Sequence, residues 1–98
     1  MTDYTNAAQQ RVLKVLKALS GHDLYGLTIS QLAVMLDSNP AQIAKDLANL
    51  EMQGLAEKEG ERWRHGKAVL EMYRLFANGL KTTLESTLET ALQIIKRG

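Results

Sequence analysis

The chain has no cysteine. That absence excludes disulfides, thiolate catalysis and cysteine-ligated zinc together. No apolar run approaches the roughly 20 residues needed to span a bilayer, so no membrane partner is expected. The opening Met1-Thr2-Asp3-Tyr4 has neither a basic n-region nor an apolar h-region, which predicts no secretory signal and a cytoplasmic protein. The only two histidines, His22 and His65, are far apart in sequence, too few and too scattered for a metal site. Carboxylates and serines occur, but none sits in a nucleophile or acid–base motif, so no enzyme activity and no cofactor are expected. Charge of one sign is also scarce. The net charge is +1, whereas nucleic-acid binders draw much of their affinity from a basic excess.

What is present fits one domain with one core. The chain has 98 residues, 45% of them hydrophobic and 23% charged, an ordinary soluble composition. Residues 6–20 read as a first helix. Val12, Leu13, Leu16 and Leu19 recur at helical spacing, Asn6 is placed to cap the start, and Ser20-Gly21 ends it. A connector from His22 to Leu27 follows, with Leu24 and Leu27 expected to turn inward. Thr28 and Gln31 form a capping-box pattern opening a second helix, whose buried stripe is Ile29, Leu32, Ala33 and Leu36. Asp37-Ser38-Asn39 is a turn. Asn39 caps a third helix with Pro40 at its first position, where the missing N–H does no harm. Ile43, Leu47 and Leu50 face its core side, and Gly54 stops it. Ala56 to Lys58 and Arg62 to Arg64 pair as short strands around Glu59-Gly60-Glu61, where Gly60 supplies a positive φ. Trp63, the only tryptophan, is expected to pack across this hairpin onto the helices.

From Lys67 to Lys96 the pattern is again helical. Val69, Tyr73, Phe76, Leu80, Leu84, Leu88, Ala91 and Ile95 follow one another at steps of 4, 3, 4, 4, 4, 3 and 4. Asn78-Gly79 could kink this helix or divide it in two. Unbroken, it would extend about 45 Å at about 1.5 Å per residue, more than a domain of this size can cover. The distal half must therefore pack on something, and a second copy is the simplest candidate. The dimerisation residues predicted on this basis are Phe76, Leu80, Leu84, Leu88, Ala91 and Ile95, with a four-helix packing if the Asn78-Gly79 pair bends the chain. A membrane-surface role is disfavoured, because Glu85 and Glu89 share the polar face with Lys81 and Lys96.

The predicted fold class is mainly α with a small β-hairpin: a winged helix-turn-helix over residues 1–66, then a long C-terminal helix or helices for dimerisation over 67–98. Three segments carry a resemblance to the N-terminal DNA-binding domain of IclR-type transcriptional regulators. They are Gly26-Leu27-Thr28-Ile29-Ser30-Gln31-Leu32-Ala33, Leu50-Glu51-Met52-Gln53-Gly54-Leu55, and Arg62-Trp63-Arg64-His65-Gly66. The resemblance covers roughly residues 6–78 and implies an opening helix, a recognition helix, a wing and a linker helix. The effector-binding domain that follows in that family is not found, so small-molecule sensing does not carry over. A small phage or prophage regulator would suit this length.

In a winged helix the second helix of the helix-turn-helix faces the major groove. Here Ala41, Gln42, Lys45 and Asn49 point away from the core positions of that helix. Gln and Asn can read adenine in bidentate fashion, and Lys can contact guanine or phosphate. The competing reading is an ordinary solvated helix face. Arg62, Arg64, His65 and Lys67 form a basic cluster after the wing tip, suited to clamping phosphates or entering the minor groove. The competing reading there is neutralisation by Glu57, Glu59 and Glu61, of which Glu59 and Glu61 oppose a phosphate contact at the tip. Residues 38–66 hold four basic groups against five acidic ones, a net −1, so binding should be weak for a single copy and need two. The expected function is a dimeric, sequence-specific regulator on double-stranded DNA. The alternative is a winged-helix protein-interaction module that does not touch DNA.

Overall fold

The structure, a computed structural model, describes residues 3–97. Its elements are α1 (Ala7–Ala18), α2 (Ile29–Met35), α3 (Pro40–Met52), β1 (Ala56–Glu59), β2 (Arg62–His65) and α4 (Lys67–Arg97). The order through β2 is that of a winged helix-turn-helix, and the mainly helical fold with a small hairpin and a long last helix is as the sequence predicts.

Local chemistry sets where the helices begin. Asn6 Oδ1 accepts from the N–H groups of Ala8 and Gln9 at 2.9 and 3.1 Å. Thr28 and Gln31 close the capping box in both directions, at 2.8 and 3.1 Å. Asn39 Oδ1 accepts from Ala41 N–H at 2.7 Å, with Pro40 opening α3. Each bond satisfies a donor that the first helical turn leaves free. The turn between α2 and α3 places Asp37 at φ 49°, a left-handed conformation that Asp tolerates better than most residues.

The core is formed by Val15, Leu19, Leu27, Leu32, Ala33, Ile43, Leu47, Leu50, Ala56 and Trp63. Two inward placements expected from the sequence are corrected. Leu13 is 52% exposed, and the α1 core is supplied by Val15 and Leu19, flanked by half-buried Val12 and Leu16. Those four positions follow the i, i+3, i+4, i+7 pattern, which leaves Leu13 at the edge of the stripe. Leu24 is 79% exposed. It sits in the middle of a turn closed by Gly26 N–H donating to the His22 carbonyl at 2.6 Å, so only Leu27 reaches the core.

The hairpin pairs Ala56 with His65, Glu57 with Arg64, Lys58 with Trp63 and Glu59 with Arg62. Its tip is Gly60-Glu61, with φ 63° at Gly60, as expected of a glycine at the first central position of a two-residue hairpin loop. The wing is stitched to the helices by a second pairing. Leu27 N–H donates to the Trp63 carbonyl at 2.8 Å, and Trp63 N–H donates to the Leu27 carbonyl at 2.7 Å.

At the far end of β2 the backbone of Gly66 runs so close to Gly54 that a Cβ there would collide with the Gly54 carbonyl oxygen. This contact seats the start of α4, where Ala68 and Val69 are half-buried. Beyond them α4 leaves the head, and the molecule reaches 65 Å in its longest dimension. The Asn78-Gly79 pair does not divide it: α4 is one helix of 31 residues. One glycine costs a helix only about 1 kcal/mol. The hydroxyls of Thr82 and Thr83 bond back to the carbonyls of Asn78 and Gly79, each at 3.0 Å.

Trp63 is buried to 7% exposure and its indole N–H has no acceptor. Trp63→Ala should cost about 3–5 kcal/mol, as large aromatic truncations do, and lower the melting temperature sharply in thermal denaturation. Trp63→Phe should cost distinctly less, because it keeps most of the ring while removing the unpaired donor.

Candidate nucleic-acid interface

α3 presents two faces of opposite character. Ile43, Asp46, Leu47 and Leu50 are buried, while Ala41, Gln42, Lys45 and Asn49 are exposed. The four positions expected to read DNA thus share the outer surface of one helix. They are not equivalent. Asn49 Nδ2 donates to the carbonyl of Lys45 at 2.8 Å, so its amide is partly committed to its own helix. Among the described residues, the side chains of Gln42 and Lys45 make no hydrogen bond or ion pair.

The orientation of that face depends on a contact the sequence reading missed. Asp46 is 2% exposed and lies on the core side of α3. Arg11 of α1 meets it in a two-pronged pair, Nε to Oδ2 at 2.6 Å and Nη2 to Oδ1 at 3.0 Å. The Arg11 guanidinium is held above its usual range, first by this hydrogen bond and then by the charge of Asp46, against partial desolvation. Such fork-to-carboxylate geometry fixes direction as well as distance, and so fixes the rotation of α3 against α1. A signal was available, since Asp46 falls between Ile43 and Leu47 on the apolar stripe. Its partner is 35 residues away and left none. The pair also revises the charge count. One of the five acidic groups in residues 38–66 is buried against a cation from outside that segment, leaving four basic and four acidic groups on the module.

The basic cluster of the wing does not act as one patch. Arg62 is exposed, with Nη1 3.4 Å from the Gly26 carbonyl. Arg64 is half-buried and bridges two carboxylates, Glu57 Oε1 at 2.8 Å and Glu59 Oε2 at 2.8 Å. The guanidinium is pushed up by the hydrogen bond it donates to Glu57, then by the charge of Glu59. Glu57 is its direct cross-strand neighbour, so the register of the hairpin produces this neutralisation. His65 turns into the fold at 10% side-chain exposure. Its Nε2 lies 2.8 Å from the Leu16 carbonyl and its Nδ1 2.9 Å from Asp23 Oδ1. It ties β2 to α1 and to the α1–α2 connection rather than facing outward. Lys67, at the first position of α4, is exposed. Lys58 lies over the Trp63 ring at 5.9 Å, a cation–π contact that the sequence reading did not anticipate.

Of the candidate residues, Gln42 and Lys45 on α3 have unpaired exposed side chains, and Arg62 and Lys67 are the exposed cations of the basic cluster that no carboxylate neutralises. Among the described residues no group of three or more His, Asp or Glu side chains is placed to hold a metal ion. No helix is long and apolar enough to cross a membrane. No known protein family matches the chain, and no curated protein matches it.

Removing Arg11 strands a nearly buried carboxylate, whereas removing Asp46 leaves a guanidinium that still reaches solvent. Arg11→Ala should therefore lower the melting temperature by more than Asp46→Ala does. Arg11→Met combined with Asp46→Leu should recover most of the loss, since apolar replacement of a buried pair is often neutral or better. Differential scanning calorimetry of the variants checks the order.

Proposed function

We propose that the chain is a sequence-specific regulator that binds double-stranded DNA as a homodimer in the cytoplasm. The observation that carries this reading is the outer face of α3. It offers Gln42 and Lys45, both exposed and uncommitted, on the helix that a winged helix-turn-helix lays in the major groove. In this reading Gln42 and Lys45 meet base edges, while Arg62 and Lys67 meet phosphates. Arg64 contributes little, because Glu57 and Glu59 already neutralise it. The likeness of residues 26–33, 50–55 and 62–66 to IclR-type DNA-binding domains supports the same assignment. The exposed apolar face of α4 supplies the second copy that a module without basic excess needs for tight binding.

A second reading, a winged-helix module that binds a protein and not DNA, is favoured by one observation: the acidic wing with its neutralised Arg64. Binding to duplex across a salt series, followed by selection of sites from random sequence, decides between them. The DNA reading expects an enriched two-half-site target, with little affinity for random duplex at physiological salt. No enrichment together with no binding at low salt overturns it.

Gln42→Ala should lose about 1–3 kcal/mol of discrimination at one or two base positions. Arg62→Ala should weaken all duplexes alike and flatten the salt dependence by about one unit of slope, with Arg64→Ala showing a smaller change. Leu84→Glu combined with Leu88→Glu should give monomers in light scattering and abolish tight binding to the selected site.

A further inference from the structure

The uncovered face of α4 has an order of its own. Its steps from Val69 to Ile95, 4, 3, 4, 4, 4, 3 and 4, read the same in both directions. The midpoint is Thr82. An identical helix laid antiparallel, with the two-fold axis level with Thr82, brings every stripe residue level with another. Leu80 then meets Leu84 of the second copy, Phe76 meets Leu88, and Tyr73 meets Ala91. The bulkiest side chain of the stripe falls opposite the smallest, as interdigitating layers require. We propose that α4 pairs with α4 of a second copy in this antiparallel register.

Charge complementarity supports the direction. The residues that directly follow the stripe positions form one flank, which carries Arg74, Lys81, Glu85, Glu89 and Lys96. The residues that directly precede them, from Ala68 to Ile94, carry no charge. In an antiparallel pair related by a two-fold axis the charged flank meets itself. Arg74 comes within one residue, about 1.5 Å of rise, of Glu89 of the second copy. Two such pairs form per dimer. The two Lys81 side chains approach at the axis. Each also lies near Glu85 of the other copy and 4.0 Å from Glu85 of its own. In a parallel, in-register pair the charged flank would face the uncharged one and gain nothing.

The exposed apolar surface is of the order that an interface needs. Among the six large stripe residues from Tyr73 to Ile95, Leu80 is the least exposed at 49%. Covering these side chains and their apolar neighbours approaches the roughly 800 Å² per partner of a standard interface. The two heads then attach at opposite ends of the helix pair, about 48 Å apart at about 1.5 Å per residue, rather than side by side.

The proposal rests on the dimer reading above and deepens it, and the absence of native cysteine makes it directly testable. Light scattering at tens of micromolar, under reducing conditions, first establishes the mass of the wild type and of each variant. Arg74→Cys with Glu89→Cys in one chain should then give a disulfide-linked dimer on mild oxidation. Within one helix those positions are about 22 Å apart, too far to bridge. Arg74→Cys alone and Glu89→Cys alone should give none, because like positions lie more than about 20 Å apart along an antiparallel pair. Cross-linking by the single variants indicates parallel helices and overturns the register while the dimer stands. A dimer by mass that the double variant fails to link overturns the register as well. A monomeric wild type overturns the register and the dimer reading together, leaving DNA contact by the head to be judged on its own binding data.

Discussion

The wing's half of the candidate interface depends on two reciprocal backbone hydrogen bonds between Leu27 and Trp63. They join the segment that leads into α2 to the strand that carries the wing. The two residues are buried where they are joined, so the bonds lie in low dielectric and anchor the hairpin on both sides of its core residue. Arg62 and Arg64 are held on either side of this anchor, and the alternation of a strand directs their side chains away from the face that Trp63 buries. A hairpin of two four-residue strands is marginal by itself. Here the pairing with Leu27 makes it part of the fold and fixes the wing against the helices.

The charges are organised by the same logic of pairing. Arg11 answers Asp46 inside the fold, and Arg64 answers Glu57 and Glu59 on the hairpin. His65 is absorbed between Leu16 and Asp23. These groups hold elements together and are poorly placed to meet an external anion. Of the polar candidate residues, those left exposed and not neutralised or held by their own helix are few: Gln42, Lys45, Arg62 and Lys67. A near-neutral module with few free cations releases few counterions on contact with DNA. On the proposed DNA reading, affinity would then come from correct base contacts and from the joining of two modules, which favours discrimination over non-specific binding.

The parts of this fold legible in the sequence are those governed by near neighbours. Asn6, the Thr28–Gln31 box, Asn39-Pro40 and Gly60 each act within four residues, so residue type and spacing determine them. The core faces of α2 and α3 were legible from periodicity for the same reason. Leu13 and Leu24 were misplaced because apolar character says only that burial is favourable, not that a surface is available. The outer face of α3 was legible, since its buried stripe leaves only one other side. The state of each candidate residue was not. Whether Arg64 is free depends on a cross-strand register, and whether His65 points out depends on acceptors from α1 and its connection. Asp46 needed a partner from another helix. Long-range pairing decides these outcomes, and a single sequence carries no direct trace of it.

α4 shows the opposite relation between sequence and surroundings. Its pattern is the most regular in the chain, yet none of its residues is buried. A helix of 31 residues covered only near its start depends beyond that on propensity and its own backbone bonds, and in water such support is modest. Gly79 and a run of threonines weaken it further, since glycine loses most backbone freedom and β-branched side chains lose rotamers in a helix. A sequence that retains an ordered apolar face on so weak a helix stabilises it through whatever covers that face. If a second copy covers it, as proposed, assembly and the folding of α4 become one process. The buried core lies wholly between Val15 and Trp63, so the head is packed without the second half of α4, and a proposed second copy would add cover where the head gives none.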